Sequence, residues 1–306
     1  MATSASALLL KTAVQSFWNS YYSIPDPFDG LVYTRSSDQK TDTYTRLGAA
    51  PMPVEFSGDR QAKVSTEYTF SATNIPYDST VAIDKELVKY QQWDEVASLT
   101  ANQGLKAMAH KTSLLSAALE AGASTVGDDG QFFFDTDHAD PGAVYTTSQD
   151  NDKTTAAATG TVPTDLEART AIRGMFDAFY TFKDDRGDPQ VPATDNLSAS
   201  DFVLMIPPEF LTIIRQLSVS STVTGPLAND LMGTFNYRVN PFLTGGNQMF
   251  MFYAGSNHKP LIVQQTGSLE NRVYEDPHSG NFNHSATWWG VVTYGQWRTA
   301  VSHIFS

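Results

Sequence analysis

The chain has no cysteine among its 306 residues. Disulfides, thiolate catalysis and cysteine-based zinc sites are therefore excluded. Charge is also scarce. Asp, Glu, Lys and Arg make up 17% of the residues, against about a quarter in ordinary soluble proteins. The basic share is the smaller one, with 20 Lys and Arg against 33 Asp and Glu and a formal net charge of -13. Phosphate recognition needs a cationic field, and no run of Lys or Arg supplies one locally. No stretch approaches the roughly 18 consecutive apolar residues of a membrane span, so no membrane partner is expected. The short apolar run Leu8-Leu-Leu10 has no basic segment before it and Lys11 directly after it. It does not read as a signal peptide, and a soluble chain made in a cytosol is expected. Phosphate-binding glycine loops, Gly-x-Ser-x-Gly and His-Glu-x-x-His are all missing. The six histidines, His110, His138, His258, His278, His284 and His303, stand in no nucleophile or zinc frame.

Apolar residues are present in quantity, at 41%, which is enough for a substantial core. The length exceeds an average single domain, so one large or two interleaved domains are expected. Ser, Thr, Asn and Gln fill the place of the missing charge. A low-charge surface of that kind suits a protein that buries itself against copies or partners.

Periodicity divides the chain. Leu10, Val14, Phe17, Trp18 and Tyr21 recur at three- and four-residue steps, predicting a core-docking helix that ends before Pro25 and Pro27. Residues 35–85 are polar and turn-rich. Within them, residues 65–72 and 77–84 read as two strands paired around the turn Asn74-Ile-Pro76. A hairpin with so few apolar residues is marginal alone and needs another surface. Residues 92–121 form the longest helical pattern, with the stripe Leu105, Met108, Thr112, Leu115 and Leu119 and a stop at Gly122. The low-complexity residues 146–161 read as an exposed loop or linker. Thr164 and Glu167 have capping-box spacing and open a helix faced by Leu166, Ile172, Met175, Phe176 and Phe179. Residues 202–206, 234–239, 248–253, 260–264 and 288–294 read as strands, and 207–217 as a helix with Pro in its first turn. The class is α+β.

One string invites chemistry. Asp135, Asp137, His138 and Asp140 are metal-type ligands within six residues. An EF-hand counted from Asp135 would need Gly at its sixth position and Glu at its twelfth. Asp140 and Thr146 stand there instead. Turn-capping by these aspartates is the simpler reading, so catalytic residues, metal ligands and cofactors are all expected to be none. The triplet Gly58-Asp59-Arg60 reads as a turn with a local salt bridge, or as an inter-subunit contact.

Five segments in order resemble a known family. They are Tyr44-Thr-Arg-Leu-Gly-Ala-Ala-Pro51 followed by Gly58-Asp59-Arg60, Tyr77-Asp-Ser-Thr-Val-Ala-Ile-Asp84, Asp129-Gly-Gln-Phe-Phe-Phe-Asp-Thr-Asp-His138, Phe202-Val-Leu-Met-Ile-Pro-Pro-Glu-Phe210, and Lys259-Pro-Leu-Ile-Val-Gln-Gln265. Together they resemble the Mu-like major head subunits of tailed bacteriophages, which have the HK97-like capsid fold. Two departures stand out. Ala139-Asp140 precede Pro141 where the family usually has Pro directly after the histidine. Lys89-Tyr-Gln-Gln-Trp93 replaces the acidic pair at the entry to the long helix.

The resemblance implies an N-terminal arm over residues 1–34 and an extended hairpin loop over 35–85 that lies on a neighbouring subunit. It also implies a peripheral domain from 86–162 and 259–306 around a spine helix at 92–121, and an axial domain at 163–258. The implied function is a major capsid protein, not an enzyme, assembling as hexamers and pentamers into an icosahedral head around double-stranded DNA. Its implied partners are itself, a scaffold, a portal and a cement protein, with DNA only contained. The implied location is the virion, assembled in the host bacterial cytoplasm. Lys40 and Lys63 lie in the loop region with no identifiable partner, so no covalent crosslink is expected. Two other readings remain: a metal-dependent hydrolase using Asp135, Asp137 and His138, and a phage tail or decoration protein.

Overall fold

A computed structural model describes residues 2–53, 55, 58, 67–139, 143–157, 162–190, 201–223 and 228–306. Asp59, Arg60, Lys63 and Asp140 lie outside the described residues. The helices are α1 (Ala2–Tyr21), α2 (Lys85–Lys89), α3 (Trp93–Glu120), α4 (Asp165–Thr181) and α5 (Leu211–Val219). The first strands are β1 (Val32–Ser36), β2 (Thr41–Leu47), β3 (Glu67–Thr73), β4 (Ile75–Ile83) and β5 (Asp152–Thr155). They are followed by β6 (Phe202–Ile206), β7 (Asn236–Val239), β8 (Gln248–Tyr253) and β9 (Leu261–Gln265). The last three are β10 (Glu270–Glu275), β11 (Phe282–Tyr294) and β12 (Ala300–Phe305).

At 1.5 Å per residue, the 28 residues of α3 make a rod about 42 Å long. Met108, Thr112, Leu115 and Leu119 are buried as the stripe requires, but Leu105 is 37% exposed. The buried face turns instead through Gln103 and Gly104 to Thr100 and Val96. The cause is α1, which packs on this stretch. A Cβ on Gly104 would run into the carbonyl oxygen of Phe17, so only Gly lets the two backbones approach this closely. The inward face of α1 is Leu9, Ala13 and Phe17 at regular four-residue steps. Leu10 is 48% exposed, which shifts the expected face by one residue at that end. Gly122 does not adopt a left-handed stop. It lies in a short 3-10 turn where a Cβ would strike the Phe134 ring.

Two five-stranded sheets flank this spine. In the first, β11 is the hub. Phe282–Thr287 pairs antiparallel with β10, Phe282–Gly290 with β4, and Gly290–Tyr294 with β9, which in turn carries β1 in parallel. The second has the order β5-β12-β8-β6-β7. The strands expected on either side of Asn74 both exist, but they do not pair with each other. β3 pairs with β2, from Thr41↔Thr73 to Leu47↔Glu67, and forms the hairpin. β4 departs to β11, where Ile83 joins a core with α1 and α3 and Tyr77 packs on His110 of α3, cover that a free hairpin lacks. The stretch 146–161 is more than a linker. It contains β5, parallel to β12, and Asn151 has no exposed surface. β12 lies in the second sheet, so residues 259–306 contribute to both sheets.

The main core fills the space between the second sheet, α4, α5 and the far end of α3. Phe179, Phe202, Phe210, Phe250, Phe252 and Phe305 lie in it, all at most 2% exposed. Each such burial contributes about 1.5–3 kcal/mol. The capping box starts α4 as expected, with Thr164 Oγ1 accepting from Glu167 N and Glu167 Oε2 from Thr164 N. Leu166, however, is 46% exposed, so the α4 face begins at Ala168. A separate, smaller core of Leu9, Ala13, Ile83, Val88 and Val96 joins α1 to α2, α3 and β4.

Candidate functional site: the aspartate-rich joint and the hairpin base

The string after α3 begins with a tight turn at Gly130, whose φ of +89° suits glycine. Asp129 Oδ1 accepts from Gln131 N at 3.1 Å to close that turn. Asp129 Oδ2 faces His138 Nδ1 at 2.7 Å. His138 is fully buried, and its ring stacks on Trp297 at 3.9 Å with 6° between planes. Its Nε2 faces Asn151 Oδ1 at 3.1 Å. Asn151 Nδ2 donates to the carbonyls of Phe133, Trp297 and Ala300, which fixes Oδ1 as the acceptor. That oxygen also accepts from Asp135 N at 2.9 Å. Both ring nitrogens of His138 thus face acceptors. The cluster ties the loop after α3, the stretch before β5 and the turn before β12 into one joint.

The alternative ligands Asp135, Asp137 and His138 do not converge. His138 points inward while Asp137 is exposed. Asp135 spends Oδ1 on Thr136 N at 2.7 Å and Oδ2 on Phe132 N at 3.3 Å. Burial works to raise the Asp135 carboxyl. Hydrogen bonds from Thr136, Asp137 and Phe132, with His138 nearby, outweigh it and hold the group below its ordinary value. The hydrogen bond to Asp135, and then its charge, push Asp137 upward. Among the described residues no three His, Asp or Glu side chains are placed to share a metal ion. A hydrolase would need His138 in contact with solvent and substrate, and both its nitrogens are enclosed. Asp129 belongs to the string. Asn151 and Trp297 complete the joint, and no local sequence signal marks either.

The second place of interest is the base of the β2–β3 hairpin. Tyr44 Oη donates to the buried Gln264 Oε1 on β9. Gln264 Nε2 donates to Asn74 Oδ1 at 3.0 Å, and Asn74 Nδ2 to Thr266 Oγ1 at 2.8 Å. These contacts tie the hairpin to the first sheet. Arg46 Nε meets Asp128 Oδ2 at 2.5 Å, with its guanidinium 4.2 Å above the Tyr68 ring. Ala49 N donates to Asp185 Oδ1 at 2.8 Å, and Arg186 Nε to Ala49 O at 2.7 Å. The hairpin base is therefore bracketed from both sides. Between and just past these anchors the apolar side chains Leu47 and Met52 are 63% and 57% exposed.

A family model described as Mu-like prophage major head subunit gpT matches residues 7–166, just over half of the chain. A Mu-like prophage FluMu major head subunit of Haemophilus influenzae is 27% identical over 124 residues, 40% of each chain. This chain therefore spans less than half the length of that relative in the match. The backbone is similar to a subunit in the procapsid of bacteriophage JBD30, with a TM-score of 0.53 and 17% identity over all of this chain and 76% of the other. It is also similar to a subunit of the mature capsid of bacteriophage PhiM1, with a TM-score of 0.60 and 10% identity over 91% and 86%. A virus-like particle from Pyrococcus furiosus gives 0.55 and 11% over 96% and 98%. At these identities the solved structures establish the HK97-like capsid fold. With the family match running from α1 through the hairpin, α3 and the aspartate-rich string to the start of α4, the chain belongs to the Mu-like major head subunit family.

Proposed function

We propose that the protein is a major capsid protein that assembles with copies of itself as hexamers and pentamers into an icosahedral head. The observation that carries this reading is the hairpin. Its base is fastened at both sides, yet Leu47 and Met52 stay exposed among the described residues. Such a braced projection with apolar side chains suits contact with a neighbouring subunit. Many such contacts made at once give a shell whose avidity exceeds any single interface. In this assignment α1 is the arm and β2–β3 the extended loop. Residues 86–162 and 259–306, around α3, form the peripheral domain, and residues 163–258, with α4, α5 and β6–β8, the axial domain. Double-stranded DNA is contained rather than gripped, in keeping with the net charge of -13. Scaffold, portal and cement proteins are the further partners of this reading, with assembly in the host cytoplasm before the subunit becomes part of the virion.

Sedimentation and negative-stain microscopy of the full chain test it. Capsomer-sized rings or megadalton shells are expected. A species that stays at the 33.5 kDa of one subunit across a hundredfold concentration range would overturn it.

A further inference from the structure

His284 sits on β11 with no exposed surface, where α1, α3 and the first sheet meet. Gln103 of α3 fixes its protonation state. Gln103 Nε2 donates to Ser79 O at 2.6 Å and lies 3.3 Å from His284 O, so Gln103 Oε1 is left as the acceptor. His284 Nδ1 lies 2.5 Å from that oxygen and must carry the proton. His284 Nε2 is then a bare lone pair, buried and without a partner among the described residues. The groups facing the ring are apolar or neutral. α1 presents Phe17, with ring centres 5.5 Å apart, and α3 presents Gln103. β4 sets Val81 opposite it and β10 sets Val273. The titratable side chain next in line is Tyr21, stacked on Phe17. Burial, then Tyr22 and Asp26, hold Tyr21 above its ordinary value, so it stays neutral in acid.

We propose that the N-terminal helix is a releasable arm whose attachment is controlled by protonation of His284. A proton on Nε2 would place a charge and an unmatched N–H against Phe17 in an apolar junction, a costly state that opening relieves. The main core need not be breached. The arm is held by the small separate core of Leu9, Ala13, Ile83, Val88 and Val96, and such a unit can open on its own. Burial lowers the attached-state imidazole from 6.5 to about 4. Exposed after release, it returns to about 6.5. Protons therefore favour the released arm between these values. Attachment is complete above pH 6.5 and is lost progressively as pH falls toward 4, with a shift in the opening equilibrium of about 100-fold.

Hydrogen–deuterium exchange of the purified full chain from pH 7 to pH 4, corrected for intrinsic exchange rates, tests this. Amides of α1 are expected to lose protection by about 100-fold, ahead of amides in β6 and β8. His284→Gln keeps a donor for Gln103 and cannot ionise, and α1 should then stay protected throughout. His284→Phe, an apolar replacement beside Phe17, provides the same readout if the glutamine variant does not fold. Equal loss of α1 protection in wild type and variant would overturn the proposal. So would loss of α1 protection only where β6 and β8 are already exchanging freely.

Discussion

The joint around His138 and the joint around His284 are built from the same materials and behave differently. Each has a fully buried imidazole facing a side-chain amide and packed on an aromatic ring. At His138 both ring nitrogens have acceptors, and Asn151 uses every polar atom it has. At His284 one nitrogen has nothing. The first joint adjoins the main core through Trp297, and the second adjoins the small core under α1. A fully satisfied polar cluster is permanent wherever the fold persists, whereas one with an orphaned atom is conditional on pH.

Perturbations can break or sharpen that contrast. The largest effect is expected from Leu115→Asp, which places an unpaired charge in the main core at the spine. No soluble subunit should be recovered, and a normal soluble fraction with intact particles by microscopy would refute the spine's structural role. Acid comes next. Burial lowers His284 to about 4, and burial followed by the Lys153 charge lowers His303 to about 4. Both are charged in the unfolded chain below about pH 6.5. The stability each group supports is therefore complete above pH 6.5 and lost as pH falls toward 4, by about 3 kcal/mol each. Urea denaturation at pH 7 and pH 4.5 measures this, and an unchanged midpoint would contradict it. Asn151→Leu leaves the carbonyls of Phe133, Trp297 and Ala300 short of a donor. It should cost about 3 kcal/mol globally, seen as a fall in Tm. Leu9→Ala, in the small core, should cost about 2 kcal/mol. Its effect should appear as faster exchange in α1 while β6 and β8 remain protected, and a uniform change across the chain would merge the two cores into one.

What could be read in advance was local. The spine helix, the Thr164–Glu167 cap and the all-buried β6 follow from spacing and residue type within a few positions. The hairpin was legible as strands but not as a pairing. Asn74 is a one-residue joint at which the chain leaves β2 for β11, and β11 lies some 200 positions away. The aspartate-rich string looked like ligands because its composition was visible and its partners were not. Trp297 and Ala300, which close the joint around Asn151, are nearly 150 residues further on. Gln103 and His284 are 181 apart, and neither carries a local pattern.

The position of β12 governs when the protein can be finished. It is the second strand of a five-stranded sheet, hydrogen-bonded between β5 and β8, yet it follows all four of its sheet-mates along the chain. During synthesis β5 emerges with its only partner still unmade, and β8 can cover one edge alone. The joint around Asn151 waits for the same stretch, since its carbonyl acceptors are Trp297, just before β12, and Ala300, the first residue of β12. The second sheet can therefore close only once β12 has been made, whatever else of the chain has already folded.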